Sequence, residues 1–203
     1  MFGRRRLMLR GISRVRIAVV ATSLVAAGLA MAQARLTESG QALDLAGNPT
    51  DPLKLSAGKV VVLVFVRTDC PISNRYAPVI QQMSEHFTGR VAFWLLYPDK
   101  TESASSIRKH LRDYRYKLPA LRDPQHVWVH RGHVSVTPEI AVFDAIGKLV
   151  YHGRIDNLYQ GFGRTRSTPT AHELTDAVES TLLGRAPQTA ETEAVGCYIS
   201  DLE

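Results

Sequence analysis

Residues 59–80 read KVVVLVFVRTDCPISNRYAPVI, and the fold turns on how that stretch divides. Its first eight residues, 59–66, are mostly β-branched and follow the turn-forming Ser56-Ala57-Gly58. Such a run reads as a strand buried on both faces, as at the centre of a parallel or mixed sheet. From residue 74 onward Tyr76, Val79, Ile80, Met83 and Phe87 fall near helical spacing, with Pro78 predicted to kink the helix. Cys70 therefore stands where a buried strand gives way to a helix, and Ser73 stands where a dithiol motif would carry its second cysteine.

A second apolar run, 91–97, reads as another buried strand, and 102–116 as a helix with Ile107, Leu111 and Tyr114 on one face. The resulting β-α-β-α order is the sign of a parallel crossover unit. Residues 118–139 read as a short strand, a helical turn and a loop. The alternating run 139–155, with a turn at Ala145-Ile146-Gly147, reads as a β-hairpin. A last helix is predicted before Gly184, opened by a capping box of Thr170 and Glu173. The expected fold is α/β, a central mixed sheet flanked by helices on both faces. Its expected bounds are residues 35–185, with 186–203 as a polar C-terminal tail.

Residues 1–34 carry six arginines and no acidic residue, and an uncharged apolar run, 17–32, ends in the small-x-small patterns Ala30-Met31-Ala32 and Ala32-Gln33-Ala34. This is the pattern of a cleavable export signal, and the run is shorter than the ~20 residues a membrane span needs. A periplasmic or secreted protein without a stable span after cleavage is therefore expected. Six of the 25 Lys and Arg residues lie in that segment, leaving 19 against 19 Asp and Glu. A neutral body gives no electrostatic basis for binding nucleic acid. About 170 remaining residues suit one domain with its own core. The two cysteines form an even set for an oxidising compartment.

A helix N-terminus presents unpaired N–H groups and partial positive charge, which favour thiolate over thiol at Cys70. Arg67 and Arg75 would add to this and Asp69 would oppose it. Thr137-Pro138 precedes the strand at 139–143; the proline is either an edge-strand start or a cis-proline whose backbone faces the thiol and docks an extended substrate.

With FVRTDCPISNRYAP (65–78), VTPEIAVFDAIGKLVYHGRID (136–156) and TEAVGCYI (192–199) in view, the chain resembles thioredoxin-fold redoxins of the alkyl hydroperoxide reductase and thiol-specific antioxidant group. The resemblance implies a nucleophilic Cys70, a cis Pro138 and thiol–disulfide oxidoreductase chemistry. It implies no cofactor, and thiol or disulfide proteins or small thiols as partners. Ser73 and Asn74 would offer a hydroxyl and an amide beside the sulfur, and Thr137 and Pro138 would shape the substrate groove.

Departures define the alternatives. Peroxidases of this group carry P-x-x-x-T-x-x-C, and Leu63 and Arg67 occupy those Pro and Thr positions here. Peroxides are thus the second substrate class, as for an antioxidant peroxidase. Copper-handling chaperones of the same fold use Cys-x-x-x-Cys, but position 74 is Asn. That role and a non-catalytic binding role rank lower. His126, His130 and His133 are read as a surface turn rather than a zinc site, and residues 159–166 as an exposed loop. Arg154 and Asp156 are expected to form an ion pair.

Ser73 cannot release a mixed disulfide, so the remaining thiol matters. Cys197 lies in the tail beside the apolar Val195, Tyr198 and Ile199, which could dock it on the domain. An intramolecular Cys70–Cys197 disulfide is predicted in the oxidised state, with Cys197 as the resolving thiol. A structural bond closing so long a loop would contribute roughly 4–5 kcal/mol.

Overall fold

The computed structural model describes residues 41–200 and 202. The export-type segment, 1–34, lies outside the described residues. The described part of the chain falls in one compact unit that includes the segment after residue 185.

The elements run in the order β1 (Ala42–Leu43), β2 (Pro49–Thr50), α1 (Pro52–Leu55), β3 (Val60–Phe65), α2 (Pro71–His86), β4 (Val91–Tyr97) and α3 (Ala104–Asp113). Then follow β5 (Ala120–Arg122), α4 (Val127–Gly132), β6 (Val136–Thr137), β7 (Glu139–Phe143), β8 (Leu149–Gly153), β9 (Tyr159–Gly161), β10 (Arg164–Thr165), α5 (Glu173–Leu182) and β11 (Cys197–Tyr198). Seven strands form one mixed sheet in the order β2-β1-β5-β4-β3-β7-β8. β3 lies inside it, parallel to β4 and antiparallel to β7. All six residues of β3 are buried, as an interior strand covered on both faces requires.

The alternation of β3 divides the core. Val60, Val62 and Val64 face Tyr76 and Ile80 of α2, Ile107 of α3, and Leu174 and Val178 of α5. Val61, Leu63 and Phe65 face Trp128 and Val129 of α4, together with Ala141 and Phe143 of β7. Ile199, from the C-terminal segment, joins this second cluster. Trp128 is fully buried beneath the sheet and packs edge-on to Phe143. Trp128→Ala should cost about 3–5 kcal/mol, read as a lower midpoint in urea unfolding of the reduced protein.

Caps explain most helix starts. Asp123 accepts the N–H groups of Val127, Trp128 and Val129, anchoring α4. Ser103 caps α3 through the Ser106 N–H. The predicted capping box of α5 does not form. Its N-cap is His172, without a side-chain bond. Thr170 is engaged by Asn157, and Glu173 accepts from the Arg154 guanidinium. The expected Arg154–Asp156 pair is corrected by the same contacts, because Asp156 instead accepts the Tyr76 hydroxyl at 2.5 Å. Gly184 follows the C-cap with φ +68°, the left-handed stop that glycine favours.

The segment after α5 folds back on the domain. His152 donates its N–H to Ala190, and Thr192 donates to His152. The approach is close: a Cβ on Gly153, whose φ is +135°, would lie 2.2 Å from the Thr192 carbonyl oxygen. β11 then pairs antiparallel with β6, Cys197 opposite Thr137 and Tyr198 opposite Val136. Ile199 is buried and donates its N–H to Ser135, whereas Tyr198 points to solvent, 74% exposed. Among the three apolar tail residues, Ile199 is the one that reaches the core.

Candidate active site

β3 delivers the chain to the loop 67–70, and α2 begins at once after it. Pro71 occupies the first helical position, where a missing N–H costs nothing and its fixed φ suits the helix. Cys70 is thereby the N-cap of α2, buried, with its sulfur accepting the Ser73 N–H at 3.5 Å. Despite Pro78, α2 runs from Pro71 to His86 as one helix.

Across from the helix start, the Thr137–Pro138 peptide bond is cis. The cysteine sulfur lies 3.0 Å from the Thr137 carbonyl oxygen. β6 carries that carbonyl, and its outer edge carries β11, so Cys197 arrives from the same side. The Cys197 Sγ stands 2.8 Å from the Cys70 Sγ, with both thiols free. The structure thus brings Cys70, Ser73, Thr137, Pro138 and Cys197 into one site.

Asn74 is placed differently from the expectation. Its amide nitrogen donates to the Thr68 carbonyl and its oxygen meets His110 Nε2 at 2.8 Å, rather than turning to the sulfur. Since that oxygen only accepts, His110 Nε2 carries the proton and Nδ1 accepts from the Tyr97 hydroxyl at 2.8 Å. Burial lowers the His110 pKa and keeps the ring neutral, consistent with this arrangement. On the other side of the loop, Glu102 accepts the Thr68 N–H at 2.6 Å. Thr68 is therefore held at both backbone groups, two residues before the thiol. Glu139 holds the facing loop in the same way, accepting the N–H groups of Ser135 and Val136. Sequence reasoning missed Tyr97, His110, Glu102 and Glu139, because each acts across long loops and belongs to no motif around Cys70.

The two thiols have opposite proton affinities. Burial pushes Cys70 up, but the Cys197 S–H, the nearby Ser73 hydroxyl and the Ser73 N–H outweigh it, holding Cys70 below the ordinary cysteine value. The Ser73 hydroxyl is itself buried without a partner in full hydrogen-bonding geometry. The Thr137 carbonyl is the member of the shell that favours the protonated form. Cys197 is pushed up to about 12, by burial first and then by donating to, and lying beside, the Cys70 sulfur. Both directions favour ionisation at Cys70, with Cys197 as the thiol that donates to it.

This has a titration signature. Cys70 should alkylate with a midpoint pH below that of a small peptide thiol. Cys197→Ala removes a donor to the thiolate and should move that midpoint upward; an unchanged or lower midpoint would contradict the assignment. A lowered folded-state value also means that the thiolate stabilises the fold at pH above the unfolded value, an effect lost as pH falls through the folded one.

Arg67, which stands where the peroxidase pattern has threonine, places its guanidinium between Asp69 and Asp99 at 3.2 and 3.1 Å. The expected surface turn is corrected: His126 is buried at the start of α4, meets the Pro98 carbonyl and stands edge-on to the exposed His130, with ring centroids 6.5 Å apart, while His133 stacks on His152. The 159–166 segment is the small hairpin β9–β10, with β10 exposed.

Residues 36–152, more than half of the chain, match the AhpC/TSA family. The chain belongs to the AhpC/TSA family. Its chemistry is that of a thiol–disulfide oxidoreductase, on thiol or disulfide substrates. Cys70 and Pro138 lie inside the matched residues and Cys197 lies well beyond them, so the second thiol belongs to this chain's own C-terminal segment. No curated protein matches the chain. Among solved structures, a hypothetical protein from Sinorhizobium meliloti 1021 has 21% identity and a TM-score of 0.67, covering 78% of this chain and 88% of that one. An uncharacterized conserved protein from Geobacillus kaustophilus has 18% identity and a TM-score of 0.67, with 78% and 86% covered. A secreted disulfide oxidoreductase from Mycobacterium tuberculosis has 22% identity and a TM-score of 0.48, with 71% and 94% covered. The first two likenesses are likenesses of fold, and the sheet order and cis-proline loop make that fold thioredoxin-like.

Proposed function

We propose that this AhpC/TSA-family chain is an exported dithiol–disulfide oxidoreductase in which Cys70 attacks and Cys197 resolves. The observation that carries the reading is the pair of free sulfurs 2.8 Å apart with opposite proton affinities. The Cys70 thiolate attacks one sulfur of a substrate disulfide; that bond breaks and the other half leaves as a thiolate. Cys70 then carries no charge, so two of the causes that raise Cys197, its bond to Cys70 and the charge there, are removed. Cys197 can then lose its proton and attack the Cys70 sulfur, releasing the bound half as a second thiolate. The chain ends as a Cys70–Cys197 disulfide, and a dithiol reductant returns it to the starting state. Run backward, the same steps oxidise a dithiol.

Export is supported by the basic-then-apolar segment before residue 35 and by a cysteine pair suited to an oxidising compartment. Among the described residues no helix is long and apolar enough to cross a membrane.

The test is stoichiometric. Reduced protein mixed with excess aromatic disulfide should release two thiolates per chain and retain no adduct. One thiolate per chain with the aromatic group retained on Cys70 would show that Cys197 does not resolve.

A further inference from the structure

The C-terminal segment occupies the groove in a way that specifies what else would fit there. β11 lies on the free edge of β6 as an extended strand, its cysteine against Cys70. Gly196, one residue earlier, is pressed on the cis-proline loop: a Cβ there would lie 2.3 Å from the Thr137 carbonyl oxygen and 2.6 Å from its carbon. Backbone cannot yield as a flexible side chain does, so this position admits no side chain without lifting the strand. One residue earlier again, half-buried Val195 closes a small cleft lined by Tyr76, Pro138, Ile155 and Tyr159, with the charged Arg154 and Asp156 completing it. The two tyrosine rings stand 5.7 Å apart, and the Tyr76 hydroxyl is already committed to Asp156. Arg154 is engaged by Glu173, and Asp156 accepts the Tyr76 hydroxyl and the Leu158 N–H, so the two rings, Pro138 and Ile155 are what the cleft offers an aliphatic side chain.

We propose that this cleft is a recognition subsite, and that the preferred partner is an extended peptide disulfide with an aliphatic residue two positions before its reacting cysteine and glycine between them. The proposal rests on Cys70 being the attacking thiolate. The partner strand takes the place of residues 195–197 on β6, seats its aliphatic side chain beside Pro138, and presents its sulfur to Cys70. Cys70 bonds that sulfur as the partner's disulfide breaks and its other half leaves as a thiolate. Resolution then needs residues 195–197 back on the same edge, so the attack of Cys197 on Cys70 and the expulsion of the partner strand are one movement.

Three peptides ending Val-Gly-Cys-Tyr, Gly-Gly-Cys-Tyr and Val-Leu-Cys-Tyr, each joined through cysteine to an aromatic thiol, test this with the full reduced protein. The aromatic thiolate is the better leaving group, so attack falls on the peptide sulfur. Stopped-flow release should be at least about tenfold faster for Val-Gly-Cys-Tyr than for either of the others, the discrimination expected from filling an apolar pocket or blocking a close approach. Tyr159→Ala should narrow the ratio between the first two peptides, and Tyr159→Phe should retain it. Equal rates for all three peptides would overturn the subsite while leaving Cys70 as the nucleophile. No release from any peptide would overturn both.

Discussion

Cys70→Ser should abolish disulfide reduction, lowering the rate at least about a thousandfold, because a serine hydroxyl stays protonated where the cysteine is a thiolate. The loss is expected to be chemical and not structural. The side chain is small, and the replacement hydroxyl can still accept the Ser73 N–H that caps α2. Measured at a pH below the range in which Cys70 ionises, the unfolding midpoint of the reduced variant should therefore stay near that of the parent, while thiolate release from an aromatic disulfide disappears at every pH. Residual release at a tenth of the parent rate would place the attack elsewhere, and Cys197 is the only other thiol.

Cys197→Ser should separate the two half-reactions. The first attack needs only Cys70, and the serine hydroxyl can still donate to the thiolate, so the first thiolate should appear at a rate close to that of the parent. Resolution has no second sulfur. Turnover with a dithiol reductant should then fall by about tenfold or more, limited by the external thiol reaching a buried mixed disulfide. Mass spectrometry should find the substrate half retained on Cys70. A variant that turns over at the parent rate would mean that the external reductant resolves the adduct in the parent as well.

Much of this fold was legible in the sequence, for a physical reason. A strand buried on both faces has to be continuously apolar, so residues 59–66 and 91–97 announce themselves, and the β-α-β-α order follows. Cys70 was legible because strand-end, cysteine and Pro71 sit together within a few residues. Polar contacts across the chain were not. Asn74 lies next to Ser73, yet its amide is drawn to Thr68 and His110 by contacts that spacing does not encode. Thr170 and Glu173 had the spacing of a capping box, but Asn157 and Arg154 compete for them successfully. The C-terminal segment was legible in part. Its apolar residues pointed to docking, but a two-residue strand against β6 and the tight fit at Gly196 depend on a partner edge far away in sequence.

The central claim is that Cys70 and Cys197 are oxidised together to one intramolecular disulfide, their two electrons passing to the substrate disulfide. Peptide mapping of the oxidised protein, digested without reduction after free thiols are blocked, tests it most directly. One cross-linked peptide pair joining the segment around Cys70 to the segment around Cys197, within a single chain, is the result the account predicts. Free, blocked Cys197 alongside an oxidised Cys70, or bridges found only between chains, would contradict it.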